Sequence, residues 1–177
     1  MTDHTRPGEA ARRGSEIDIR RSGPADVPGL RACLDGVARE RRFLSMLEAP
    51  SVADVGEFAG SPDVAQVVAV DAGTIVGWAD VRRLRPPGFT HRGQLGMGIA
   101  ASHRGRGIGS RLLAAVIALC PSLGVTRLEL TVFGSNAAAR RLYERHGFVV
   151  EGELPGARVL DGASDDVLLM VRWIART

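Results

Sequence analysis

Gly105, Gly107 and Gly109 stand at alternate positions between a strand-like run and an amphipathic helix, with Arg104 and Arg106 interleaved. The stretch reads Ala101-Ser102-His103-Arg104-Gly105-Arg106-Gly107-Ile108-Gly109-Ser110-Arg111-Leu112-Leu113. Three glycines between a strand and a helix bring bare backbone amides close to whatever lies at the helix N-terminus. That end carries unsatisfied N–H donors and roughly half a positive charge from the aligned peptide dipoles. A pyrophosphate fits there, and the two arginines can add charge-assisted hydrogen bonds. An ordinary glycine-rich turn before a helix is the alternative.

Two other nucleotide readings fail on detail. The dinucleotide fingerprint needs GxGxxG after a simple βαβ start, whereas here Arg111 follows Gly109 and a hairpin precedes the loop. A Walker A loop needs lysine, and all 23 basic residues are arginine. The same fact removes a Schiff-base lysine and a lysine general base. The arginines are dispersed, with no aromatic residues between them as on a stacking surface, so no nucleic-acid partner is expected. No apolar run approaches a membrane span and no secretory leader is visible. A soluble, cytoplasmic protein is expected. Cys33 and Cys120 match no metal spacing and no CxxC, so neither a metal nor a disulfide is expected.

A chain of 177 residues is most simply one domain. Met1 to about Ser15 reads as a disordered tail and residues 16–177 as that domain. Ile17 to Arg20 alternates like a short strand. Val27, Leu30, Leu34 and Val37 share a helical face, predicting a helix from Pro24 to about Arg41. Ser51 caps a short second helix to about Ala59. Residues 66–70 and 75–81 read as a hairpin about an Asp71–Thr74 turn, and Gln94 to Ala100 as the next strand. A long helix runs from Gly107 to Leu119. Leu128, Leu130 and Val132 alternate in a strand, and a helix from Ser135 or Asn136 reaches about His146. Residues 148–150 and 167–171 supply the last two strands.

Asn136 and Tyr143, the single tyrosine, are seven residues apart on the predicted fourth helix. Two turns return them to nearly one face, about 10 Å apart along the axis. A phenol facing a cleft can protonate a leaving thiolate. A half-buried core tyrosine is the alternative.

Taken together, residues 94–113 and 128–152 resemble the GNAT superfamily of acetyl-CoA-dependent N-acetyltransferases. The family's phosphate-loop pattern, Arg/Gln-x-x-Gly-x-Gly/Ala, falls on Arg104, Gly107 and Gly109. Its later pattern falls on Asn136, Tyr143, Gly147 and Phe148. The resemblance implies an α/β GNAT fold: a mixed, mostly antiparallel seven-stranded sheet flanked by helices on both faces and splayed between strands 4 and 5. It implies acetyl-CoA as cosubstrate and direct acetyl transfer to a primary amine. Gly98, Ile99 and Ala101 would pair with the pantetheine arm, the Ile99 amide polarising the acetyl carbonyl. Amides from Arg104, Gly105, Arg106, Gly107, Ile108, Gly109 and Ser110 would hold the pyrophosphate. Asn136 would bond the pantetheine arm, and Tyr143 would protonate the departing thiolate. Residues 152–172 resemble the branch acting on free amino acids and small amines. A homodimer follows by family analogy alone.

The base is the gap. Many relatives carry a carboxylate on the strand before the loop, yet Gln94-Leu95-Gly96-Met97-Gly98-Ile99-Ala100 has none. Glu129 is the base candidate, with Asp80, His91, His103 and a water chain as substitutes. Phe43 to Glu48 and Pro86 to Arg92 are expected to wall the acceptor pocket, where Arg41, Arg42 or Arg92 could hold a carboxylate. A protein N-terminus or an antibiotic is the alternative acceptor. An acyl-CoA-binding module without catalysis is the rival class, and it would not need Tyr143.

Overall fold

The hairpin is the simplest unit. Val64–Asp71 (β2) and Thr74–Arg83 (β3) turn through Ala72 and Gly73, both at positive φ (46° and 80°), as a two-residue hairpin requires. In the computed structural model, which describes residues 17–175, this hairpin lies inside a seven-stranded sheet. The tail expected over Met1 to Ser15 lies outside the described residues. The remaining strands are Asp18–Arg21 (β1), Arg92–Ile99 (β4), Arg127–Phe133 (β5), Val149–Leu160 (β6) and Ala163–Trp173 (β7). Their order is β1-β2-β3-β4-β5-β7-β6, antiparallel throughout except for β4 against β5.

The helices are Val27–Arg39 (α1), Val52–Gly60 (α2), Ile108–Ile117 (α3) and Ala137–Arg145 (α4). Pro24–Asp26 forms a separate 3-10 turn, and α1 ends before the expected Arg41, which takes a non-helical φ of 58°. The α2 start is a capping box: Ser51 Oγ accepts from the Asp54 amide (3.1 Å), and the Asp54 carboxylate accepts from the Ser51 amide (3.2 Å). One core layer packs Leu30, Val37 and Val55 from α1 and α2 against Val68 and Trp78. The larger layer packs Ile108, Leu112 and Val116 of α3 against Val67, Ala79, Val81, Leu128 and Leu130 on the other face. From Val67 to Ala69 and from Trp78 to Val81 even positions face α1 and odd positions face α3, and the irregularity at Ala69/Val70 reverses this at Ile75 and Val76.

Strand β4 pairs with β5 only through Arg92 to Gln94, opposite Arg127 to Glu129. Beyond that point the two strands pair no further, so the expected splay between strands 4 and 5 is present.

The last hairpin is much longer than the sequence predicts. Glu151-Gly152 and Pro155-Gly156 look like chain breakers, but β6 is an edge strand, where such residues are tolerated. Its pairing shifts register between Leu154 and Arg158, where Gly156 takes a φ of 63°. Asp161 and Gly162, at φ 52° and 78°, form a second tight turn. Among the described residues no helix is long and apolar enough to cross a membrane.

Candidate active site

The splay leaves a row of amides without partners. Ala100 donates its amide to Val76 (2.9 Å), so by alternation Gly98 and Gly96 also face β3. The odd positions face β5, and beyond the last pair, Gln94 with Glu129, the amides of Met97 and Ile99 point into the gap. Ile99 is the last of these donors before the 3-10 turn. Gly98 is not placed to pair across the gap, and this corrects the expectation. Its role is steric, since a Cβ there would lie 2.3 Å from the Trp78 ring. Ala101 opens a 3-10 turn over Ala101–His103 and accepts the Arg104 amide (3.4 Å).

The loop that follows has the geometry of an anion cradle. Gly105 and Gly107 both take a φ of 75°, a region open to glycine at little cost. Gly107 is the N-cap of α3, and the first amide of the helix ladder is that of Arg111, which donates to Gly107 (3.3 Å). Among the described residues, the amides of Gly105, Arg106, Gly107, Ile108, Gly109 and Ser110 reach no protein acceptor. Six unpartnered donors in and just before the first turn of a helix, with open space beside both positive-φ glycines, suit a diphosphate.

The side chains of this loop are used differently from expectation. Arg104 does not offer its guanidinium to an anion in the cradle: both terminal nitrogens hold Glu40 (2.7 and 2.5 Å), and Nε donates to the Ile99 carbonyl (3.0 Å). The same guanidinium stacks over Phe43 at 4.7 Å. Arg106 remains partly exposed, 3.7 Å from Asp71. Ser110 Oγ lies 2.6 Å from His146 Nε2.

Helix α4 meets the same place from the other side. A Cβ on Gly109 would lie 3.1 Å from both Ile99 Cδ1 and Leu142 Cδ2, so the end of β4, the start of α3 and the middle of α4 converge there. Tyr143, next along α4, is 8% exposed and packs on Phe148 with ring centroids 5.8 Å apart. Burial pushes its phenol up to about 12. No fully buried side-chain polar atom among the described residues lacks a partner, yet the Tyr143 hydroxyl has none. It therefore reaches the surface. Asn136 is the N-cap of α4: its Oδ1 accepts from the Ala139 amide (3.2 Å), which leaves its Nδ2 as the group for an outside acceptor.

On the α1 face, Glu129 is an anchor. Arg92 binds both its oxygens (2.5 and 2.7 Å) and Arg127 adds a third bond (2.9 Å). These guanidinium groups hold its carboxyl below the ordinary range, led by the bond from Arg92, so it is a poor proton acceptor. It ties β4 to β5 at the closed end of the gap. Arg92 is consumed by the same pair, and the Pro86–Arg92 loop stands at that closed end too, away from the phosphate loop.

Asp80 is the carboxylate that sequence reading weighed and did not choose. It is 9% exposed, and burial pushes its carboxyl up to about 7 against a smaller opposing pull from the Trp78 side chain. It faces Gly96 across the strand pair, and a Cβ on Gly96 would lie 3.1 Å from each of its oxygens. A carboxylate of β3 thus occupies space that Gly96 leaves open on β4. Arg82, two residues along on the same face, donates to Gln94 (2.8 Å) and keeps its other donors. His91 precedes β4 at the closed end, and His103 is bonded to Asp71 (3.0 Å). Asp80 thus lies on the α1 face of the sheet, beside β4, and Tyr143 on the α3 face.

The model of the acetyltransferase (GNAT) family matches residues 37–148. The chain belongs to that family. This acetyltransferase is 30% identical over 162 residues to the L-amino acid N-acetyltransferase AaaT of Escherichia coli, covering 89% of this chain and 98% of that protein. An acetyltransferase of the GNAT family from Streptococcus pneumoniae superposes with a TM-score of 0.82 at 30% identity, covering 90% of this chain and all of the other. A putative acetyltransferase from Salmonella typhimurium, solved with acetyl-CoA, shares the fold with a TM-score of 0.84 at 19% identity over 91% of this chain and 95% of the other.

Proposed function

We propose that this acetyltransferase uses acetyl-CoA to acetylate the primary amine of a small molecule, a free amino acid above all. The observation that carries the reading is the pairing of six unpartnered amides at the start of α3 with a buried carboxylate and an unpartnered phenol on opposite faces of the sheet. Acetyl-CoA, when bound, supplies the thioester acetyl group. The amides from Gly105 to Ser110 hold its diphosphate, and those of Met97 and Ile99 pair with its amide-bearing arm, assisted by Asn136 Nδ2. The Ile99 amide polarises the acetyl carbonyl. Asp80, in place of Glu129, takes one proton from the incoming ammonium and passes it to solvent, and the freed lone pair forms the C–N bond as the C–S bond breaks. The nitrogen sheds its second proton to water as it becomes the amide, while Tyr143 gives its hydroxyl proton to the sulfur and regains one from solvent.

The amino-acid preference draws on AaaT and on Arg82, which presents a cation beside the Asp80 carboxylate on one strand face. An acceptor bearing both an ammonium and a carboxylate would span that pair. Mixing the protein with acetyl-CoA and a panel of free amino acids, other small amines and peptides, and following thiol release, tests this directly. Turnover with free amino acids is expected. Acetyl-CoA binding without turnover on any primary amine would favour the binding-module alternative.

A further inference from the structure

We infer that Arg41, Phe43 and Arg158 bridge the open end of the β4–β5 gap and limit the acceptor to one small amine, excluding an extended peptide. The inference rests on the acetyl-transfer reading above and names which members of its acceptor class can enter.

Ile99 ends β4 and Phe133 ends β5, and no backbone pairing joins these ends. Side chains join them instead. The Ile99 carbonyl accepts from Arg104 Nε (3.0 Å), and the Arg104 guanidinium stacks over Phe43 at 4.7 Å. Two residues back, the Arg41 carbonyl accepts from Arg158 on β6 (2.6 Å). The Arg158 guanidinium lies over the Phe133 ring at 4.3 Å. The Arg41 guanidinium in turn holds Asp161 of the β6–β7 turn through two bonds (3.1 and 2.6 Å). The α1–α2 connection and the last hairpin, about 120 residues apart in sequence, are thus tied together.

The bridge crosses the acceptor's face of the sheet. Phe133 alternates with Thr131 and Glu129 on β5. Glu129 sits beside Gln94, which Arg82 binds on the same face as Asp80. A free amino acid can reach Asp80 beneath such a bridge. A peptide acceptor must trail its second residue out through the space the bridge occupies. Arg41 keeps a positive φ that a non-glycine residue seldom adopts, and its two attachments to the hairpin hold it there.

Arg158→Gln and Asp161→Asn test the inference; the Asn retains tolerance for positive φ at the turn. For each variant, kcat/KM is measured for a free amino acid and for a dipeptide whose one primary amine is its N-terminus. The Kd for acetyl-CoA, measured by calorimetry without acceptor, reports whether the fold and cofactor site are intact. The bridge predicts a wild type that strongly prefers the amino acid and variants in which the dipeptide-to-amino-acid ratio rises by about tenfold at unchanged Kd. A ratio unmoved in both variants, or a wild type that takes both acceptors equally, overturns the inference while leaving acetyl transfer standing. A wild type that binds acetyl-CoA and turns over neither acceptor overturns the acetyl-transfer reading, and the inference with it.

Discussion

The two carboxylate oxygens of Asp80 each lie 3.1 Å from where a side chain on Gly96 would begin. A glycine on β4 leaves room for an acid on β3, and in the proposed mechanism that acid is the base. The pairing has a cost in stability and a signature in pH, and both can be measured.

The carboxyl of Asp80 titrates at about 7, so its ionised form rises through neutrality. The kcat/KM of the wild type should climb with pH to about 7 and then level. Asp80→Asn should lose that limb and about 10²-fold or more in rate. The stability effect has the opposite sign. Because folding raises this acid's pKa from 3.8, its contribution is full below about pH 4 and is lost as pH rises to about 7. Thermal melts should therefore show Asp80→Asn gaining on the wild type at pH 8, by on the order of a few kcal/mol at most, and gaining little at pH 4.

Glu129→Gln should behave as a structural lesion. Its carboxylate is held below its ordinary range by Arg92 and Arg127, so it stabilises the fold at neutral pH and loses that contribution as pH falls through its depressed pKa. Removing the charge leaves Arg92 without its carboxylate, while Arg127 keeps Glu151, and should cost about 1–3 kcal/mol in chemical denaturation. The pH–rate limb near 7 should survive, which separates this residue from Asp80.

Tyr143→Phe should lower kcat by about 10²-fold with little change in either KM, because the hydroxyl acts on the leaving group. The melting curve should move by no more than about 0.5 kcal/mol, since the hydroxyl has no protein partner to lose.

Gly107→Val should weaken acetyl-CoA binding at least about tenfold. A β-branched residue at a φ of 75° costs about 1–2 kcal/mol and turns the Ile108 and Gly109 amides away from their common point. Calorimetric titration of variant against wild type reads the loss.

The phosphate loop and the Asn136–Tyr143 helix were legible because each depends on local pattern, glycine spacing and a cap, whereas the splay of the sheet followed from the family resemblance alone. Side-chain alliances across the fold were not legible. Nothing near Arg104 in sequence signals that Glu40 will take its guanidinium, 64 residues away. Glu129 reads as an accessible acid until Arg92 and Arg127 converge on it. Asp80 is one of several substitute bases in sequence, and only strand register sets it opposite Gly96. The β6–β7 hairpin was hidden by Pro155 and Gly156, residues that break an inner strand but are accommodated at an edge. Arg158 went unnoticed with it.

Hydrogen exchange of the main-chain amides, with and without acetyl-CoA, tests the central claim most directly. The account predicts marked slowing at Gly105 through Ser110, together with Met97 and Ile99, and little change at the closed end near Arg92 and Glu129. Protection confined to other surfaces, with these amides exchanging as fast as before, would contradict it.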